Sequence, residues 1–120
     1  MDVSKQILSD ITVYSKYARF KPELNRRETW EELVNRNRQM HIKRYPAMEE
    51  FINQAYDRSV LPKKVLPSMR SLQYGGVPIE RNPSRIYNCA YLPIEDTDAF
   101  AEIMFLLLGG TGVGYSVQSR

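Results

Sequence analysis

Apolar residues recur at helical spacing in the first sixty residues of the chain, and they predict a helical region over 1–60. The first stripe predicts a helix that stops before Pro22, because proline cannot continue a helix interior. The stripe consists of Ile7, Leu8, Ile11, Tyr14 and Ala18. The pattern therefore favours one amphipathic helix at the start of the chain.

Two further helices are expected in this region. Thr29 and Glu32 have capping-box spacing and predict a helix that begins at Thr29 and ends near Tyr45, before Pro46. Its apolar stripe contains Trp30, Leu33, Val34 and Met40, and Asn37 interrupts it. The third helix is predicted from Ala47 to Arg58 and should bury Met48, Phe51, Ile52 and Ala55.

Residues 61–88 have a different character, with four prolines and the pair Gly75-Gly76 spread among scattered apolar positions. Prolines and paired glycines are typical of turns, so this stretch is predicted to consist mostly of extended segments and turns. The prolines are Pro62, Pro67, Pro78 and Pro83.

The last third predicts a strand, a helix and a second strand. Asn88 to Leu92 form a short extended segment that Pro93 ends, and a helix follows from about Asp98 to Leu108. That helix is apolar on nearly every face, so other elements must bury it. Gly109-Gly110 stops it, and the alternation from Val113 to Val117 predicts a strand. A new strand so near Arg120 predicts that the fold continues beyond this chain.

Composition and charge argue against several classes of function. The 120 residues carry a net charge of +3, and the basic residues are scattered among acidic ones, which argues against a nucleic-acid interface. The first residues lack the apolar stretch of a signal peptide, and the longest apolar run, Ile103 to Leu108, is too short to span a bilayer. The single cysteine excludes an internal disulfide, so a reducing cytoplasmic location is expected, without membrane contact.

Two features could carry chemistry, and each also has a structural interpretation. The run from Gly109 to Gly114 could hold phosphate oxygens on consecutive free N–H groups, or could simply stop a helix and pack as a strand against a neighbour. Cys89 could be a redox thiol, or a small buried hydrophobic residue. His41 has no partner at metal-ligand spacing, so no metal site is predicted.

Together, these two features resemble the start of the catalytic barrel of ribonucleotide reductases. The matching segments are Asn88-Cys89-Ala90-Tyr91-Leu92-Pro93, then Phe100-Ala101-Glu102, then Gly110-Thr111-Gly112-Val113-Gly114-Tyr115-Ser116-Val117. Three upstream segments are also similar, namely Lys16-Tyr17-Ala18-Arg19, Arg26-Arg27-Glu28-Thr29 and Pro67-Ser68-Met69-Arg70-Ser71-Leu72. The likeness is strongest to the monomeric adenosylcobalamin-dependent class of phage and cyanobacterial type.

The resemblance implies a role for individual residues. Cys89 matches the first redox cysteine, a catalytic thiol on the first barrel strand, which pairs with a later cysteine to reduce the ribose 2′ position and becomes a disulfide. Asn88 and Cys89 match positions that line the substrate ribose. Thr111 and Gly112 match the glycine loop against the substrate, and Ser68 matches a further substrate contact.

The resemblance also implies a fold and a set of partners. The expected class is an α+β fragment, with a helical region over 1–60 and, over 61–120, the first strand–helix–strand elements of the ten-stranded α/β barrel. The function expected is reduction of ribonucleotides, as triphosphates, to deoxyribonucleotides by thiyl-radical chemistry. Adenosylcobalamin would be bound mainly by the rest of the enzyme, a deoxynucleotide effector would be a further ligand, and a thioredoxin-like protein would be the reductant.

A complete reductase needs cysteines that this chain does not contain, namely the thiyl-radical cysteine and the second redox cysteine, because Cys89 is its only one. The chain alone is therefore expected to be inactive and to act with the remainder of the barrel. The alternative is a non-catalytic helical interaction module with a glycine-rich edge and an inert, buried Cys89.

Overall fold

The computed structural model describes residues 2–117, which fall into two compact units divided between Gly76 and Val77. Each unit combines helices with one two-stranded sheet, so the predicted α+β class is confirmed. The sequence boundary between residues 60 and 61 marks a change in composition and stays a prediction. Within the described residues, no helix is both long and apolar enough to cross a membrane.

The first unit begins with helix α1, Val3–Thr12, which a π-helical turn extends over Val13–Tyr17. The Asp2 side chain caps it by accepting a hydrogen bond from the Ser4 N–H at 3.2 Å. Ala18 is buried, whereas the rest of the predicted stripe is largely exposed. The exposed members are Ile7, Leu8, Ile11 and Tyr14. The helix is thus confirmed, but the first unit leaves most of its apolar face in contact with solvent.

A short hairpin separates α1 from the second helix. Strands β1, Phe20–Lys21, and β2, Arg26–Arg27, pair antiparallel around a 3₁₀ turn at Pro22–Leu24. Asn25 closes the turn with φ of 47°, a left-handed conformation that asparagine tolerates better than most residues.

Helix α2, Trp30–Arg44, is the centre of the first unit and has the predicted bounds. The Glu32 N–H donates to the Thr29 hydroxyl while the Glu32 carboxylate accepts from the Thr29 N–H, which completes the capping box. Its inward face buries Leu33 and Val34 completely. They pack with residues from the later helices, namely Tyr56, Val60 and Leu72.

Asn37 is fully buried within this apolar core. Its amide donates to the Ser71 carbonyl at 2.7 Å and to the Ser71 hydroxyl at 2.8 Å, and its side-chain oxygen accepts from the Tyr56 hydroxyl at 2.5 Å. The apparent interruption of the stripe is therefore a hydrogen-bonded connection between three segments, because a buried amide requires partners.

The third predicted helix exists but buries different residues. A 3₁₀ turn at Pro46–Met48 precedes α3, Glu49–Ala55, and a π-helical turn follows at Tyr56–Val60. The predicted burial of Met48 and Phe51 is wrong, because they are 49% and 66% exposed. Ile52 and Ala55 are half-buried, and the buried positions of this segment are Tyr56 and Val60, in the π-helical turn.

The prediction that residues 61–88 consist mostly of extended segments and turns is wrong where three helical segments form. Helix α4 spans Met69–Tyr74, α5 spans Val77–Arg81, and a 3₁₀ turn covers Pro83–Ile86. Pro67, Pro78 and Pro83 do not break these elements because they lie just before or within their first turns, where the proline nitrogen needs no helical partner. Pro62 lies in the turn that follows the π-helical segment. Composition suggested turns, but the positions of the prolines allow short helices.

The second unit contains the predicted strand–helix–strand arrangement. Strand β3, Cys89–Pro93, leads through α6, Asp98–Leu108, into β4, Gly112–Ser116, and the two strands pair in parallel. Helix α6 ends at Gly109-Gly110, as predicted, with Gly110 at φ of 87°. Within the described residues only Ala99 and Ile103 of this helix are buried. The exposed apolar residues are Phe100, Met104, Phe105, Leu107 and Leu108.

Candidate active site

The parallel register of β3 and β4 brings the two sequence features together. Cys89 lies opposite Gly112, and Tyr91 lies opposite Gly114. Residues two apart on a strand, and residues directly opposite on neighbouring strands, share a face of the sheet. All four of these residues are exposed, and they form what we call the open face of the second unit.

The other face of the same sheet is partly covered. Ala90 and Leu92 on β3 and Val113 on β4 alternate with the open-face residues and are half-buried. Helix α6, which contacts both strands, accounts for this covering. The alternation means that the helix supports the sheet from one side and leaves Cys89 accessible from the other.

The Cys89 thiol is exposed, so the interpretation of Cys89 as a buried hydrophobic residue is wrong. The side-chain nitrogen of Asn88 lies 3.7 Å from its sulfur, at the outer limit of a hydrogen bond to sulfur. An accessible thiol can exchange with a partner thiol or a disulfide, which a buried one cannot.

Space beside this thiol results from the glycines of β4. A Cβ atom at Gly112 would have the Asn88 carbonyl oxygen as its nearest neighbour, at 3.7 Å. At Gly114 it would meet only the Tyr91 ring, at 3.9 Å. Both are ordinary contact distances, so neither glycine is required by packing within this unit. Their effect is to leave a shallow surface along the open face where backbone can approach a ligand closely.

The idea that consecutive free N–H groups of the glycine run hold a phosphate is not supported. The Gly109, Gly110 and Thr111 N–H groups donate to carbonyls in the last turn of α6, and Gly112 donates to the Asn88 carbonyl at 2.9 Å. Backbone donors that already have partners at about 3 Å cannot serve as an anion nest without rearrangement. The loop is therefore better suited to close backbone approach than to phosphate binding.

Thr111 faces away from the open face. It is only 2% exposed, and its hydroxyl donates to the Tyr87 carbonyl at 3.2 Å. Asn88, Cys89, Thr111 and Gly112 thus come together as the resemblance implies, although the Thr111 side chain is engaged with the backbone. Its role in substrate binding stays a prediction.

Ser68 belongs to the first unit, where it caps α4. Its hydroxyl accepts a hydrogen bond from the Ser71 N–H at 3.1 Å, which is the ordinary role of serine before a helix. The expected contact of Ser68 with a substrate stays a prediction.

Tyr91 is a residue that the sequence argument did not select for function. It is 63% exposed, shares the open face with Cys89, and its ring lies beside Gly114. The signal was present as the two-residue spacing from Cys89, but it has meaning only once that segment is known to be a strand.

Among residues 2–117, no three His, Cys, Asp or Glu side chains are grouped so that they could hold a metal ion. A comparison of the chain with protein-family models, with curated proteins and with solved structures found no match in any of the three. The geometry of the open face and the sequence motifs are therefore the features that bear on function.

Proposed function

We propose that this chain is the N-terminal segment of a ribonucleotide reductase and that Cys89 is one of its two reducing thiols. The observation that carries the proposal is the pairing of Cys89 with Gly112 on the open face. The sequence motifs suggested a reducing thiol and a glycine loop that lies against a sugar. A thiol with an unobstructed backbone surface directly beside it is the arrangement that such a reaction requires.

The reaction assigns a definite task to Cys89. Removal of the ribose 2′-hydroxyl as water, with a hydrogen in its place, takes two electrons and two protons. Two thiols supply them and become a disulfide. Cys89 provides one thiol, and the remainder of the enzyme provides the second, because this chain has no other cysteine. The substrate ribose would lie along Gly112 with Asn88 at its edge.

The remaining components are assigned to other parts of the enzyme. On the open face the Cys89 and Tyr91 side chains lie beside two glycines, with Pro93 and Ser116 next in register, and the space over the glycines suits a sugar. We assign adenosylcobalamin to the remainder of the barrel and derive no step through it. A thioredoxin-like protein would reduce the disulfide again, and triphosphates are the proposed substrates.

The test is a reconstitution. The chain is mixed with a protein that carries the remaining barrel and its cysteines, and conversion of ribonucleoside triphosphates is followed over many turnovers. Activity is expected from the mixture and not from this chain alone. Cys89→Ser should abolish multiple turnover and leave cofactor activation largely unchanged.

A matched control is Ala90→Ser, which places the same serine side chain on the next residue and on the opposite face of the strand. It should retain turnover. Wild-type-like turnover by Cys89→Ser would overturn the proposal and favour the non-catalytic interaction module.

A further inference from the structure

We infer that Thr111 is a positioning residue, whose buried hydroxyl holds the segment before Cys89 in register with Gly112. Its contribution to catalysis rests on the proposed function of Cys89, but the positioning itself is a property of the described fold. Thr111 acts through the backbone of Tyr87 and Asn88, and its side chain does not reach the open face.

The positioning involves two successive donors and two successive acceptors. The Thr111 hydroxyl donates to the Tyr87 carbonyl at 3.2 Å, and the Gly112 N–H donates to the Asn88 carbonyl at 2.9 Å. Cys89 is the next residue along the chain. The two bonds therefore act together with the β3–β4 ladder to set the position at which β3 begins relative to β4, which is the position that brings the thiol opposite Gly112.

Thr111 is itself anchored to the end of α6. Its N–H donates to the Leu106 carbonyl at 3.0 Å, and the Gly110 N–H donates to the Leu107 carbonyl at 2.9 Å. These bonds close the helix end and hold the loop in one conformation. The Thr111 hydroxyl thus connects a fixed helix end to the start of the strand that carries the thiol.

Side-chain packing provides little alternative support at this point. Tyr87, Asn88, Cys89 and Gly112 are all exposed, whereas Thr111 is among the most buried residues of the chain. A segment without buried side chains depends on its hydrogen bonds for its position. Loss of the Thr111 donor should therefore displace Cys89 more than it changes the rest of the unit.

The test introduces a second cysteine and measures how readily it forms a disulfide with Cys89. Gly112→Cys introduces a thiol opposite Cys89, and neighbouring strands lie about 4.8 Å apart, within the Cα separation that a disulfide spans. Oxidised glutathione accepts the two electrons when the disulfide forms. The equilibrium in a glutathione buffer then gives the effective concentration of one thiol at the other.

We expect the effective concentration of one thiol at the other to fall about five-fold or more when Thr111→Val is added. A decrease of this size corresponds to the loss of about one hydrogen bond. Thr111→Ser keeps the hydroxyl and should restore it. Thr12→Val is the matched control, because the Thr12 hydroxyl also donates to a backbone carbonyl, that of Leu8 at 2.8 Å, but in the first unit. It should leave the effective concentration unchanged. If valine perturbs folding, Thr111→Ala removes the same donor without a branched apolar side chain.

The inference is overturned if Thr111→Val and Thr111→Ala form the disulfide as readily as the protein that keeps Thr111. It is also overturned if the disulfide does not form when Thr111 is present. A second arm uses the reconstituted enzyme with Gly112 present. There, Thr111→Val should lower kcat roughly ten-fold through misplacement of the thiol. KM should change little, and the rate at which iodoacetamide alkylates the exposed Cys89 should also change little.

The two arms separate this inference from the proposed function. Turnover that survives Cys89→Ser would overturn the proposed function, whatever the disulfide equilibrium shows. If Cys89→Ser abolishes turnover but Thr111→Val changes neither kcat nor the disulfide equilibrium, only the role of Thr111 is overturned.

Discussion

Gly112 lies directly opposite Cys89 in the parallel ladder, and both residues are exposed. An alanine-sized group would fit at Gly112 without a clash, since the nearest atom to its Cβ would be 3.7 Å away. The absence of a side chain is thus not a requirement of the fold. It keeps a surface free beside a thiol.

Gly112→Val should fill this surface. In the reconstituted enzyme we expect KM to rise at least about ten-fold or activity to be lost, because backbone can no longer approach the substrate. The free energy of unfolding should change by less than about 1 kcal/mol, since substitutions at exposed positions usually have small effects on stability. Tyr115→Val places the same side chain on the opposite face of β4 and serves as the control. Unchanged kinetics in a folded Gly112→Val enzyme would show that the loop is only structural.

The buried Asn37 network predicts a specific loss of stability. Tyr56→Phe keeps the ring but removes the hydroxyl that donates to Asn37, which leaves a buried amide oxygen without this donor. We expect the free energy of unfolding in urea to fall by about 1–3 kcal/mol. Tyr45→Phe, at an exposed tyrosine, should have almost no effect. Equal stabilities for the two variants would contradict the role of this bond.

Glu28 should make the first unit sensitive to acid. Burial alone would raise the pKa of Glu28, but hydrogen bonds from Arg36 and from the Arg19 N–H outweigh it, so the pKa lies below its usual 4.5. A lowered pKa means that the stabilisation is complete above the unfolded value and is lost as pH falls through the folded value.

Glu28→Gln should therefore flatten the decrease in stability below about pH 5. At neutral pH it should cost on the order of 2–3 kcal/mol, because the Arg36 guanidinium loses a buried partner. Glu23→Gln, in the turn before β2, provides the comparison. Urea midpoints from pH 3 to pH 7 measure both variants, and a parallel pH dependence for Glu28→Gln and the wild type would contradict the assignment.

Helix α6 should mediate association. Leu108 is 81% exposed, and each such apolar side chain gains roughly 1.5–3 kcal/mol on burial. We expect Leu108→Lys to reduce self-association of the isolated chain and to weaken its binding to the remaining barrel by at least ten-fold. Light scattering and titration calorimetry measure the two effects. Lys64→Leu, in the first unit, controls for overall hydrophobicity, and full binding by Leu108→Lys would show that α6 lies outside the interface.

Local signals were sufficient for some elements and not for others. The capping box at Thr29 and the proline after Tyr45 define α2, because both act within a few residues of the helix ends. In the sequence alone Asn37 interrupts the apolar stripe, because its partners Tyr56 and Ser71 lie 19 and 34 residues away. The prolines of residues 61–88 suggested turns because composition does not reveal which residue begins a helix.

The candidate site was likewise predictable only in part. The motifs selected Cys89 and Gly112, but their pairing depends on a register that no local pattern determines. The exposure of Cys89 follows from which face α6 covers. The burial of Thr111 depends on the way the helix end folds back towards Tyr87, 24 residues earlier in the chain.

The most direct test of the central claim is the redox state of Cys89 after a single turnover. The reconstituted enzyme is reduced, freed of reductant, and supplied with one equivalent of ribonucleoside triphosphate. The mixture is then quenched in acid and analysed by mass spectrometry. We predict one disulfide that contains Cys89 for each deoxyribonucleotide formed. Deoxyribonucleotide produced while Cys89 remains a free thiol would contradict the account.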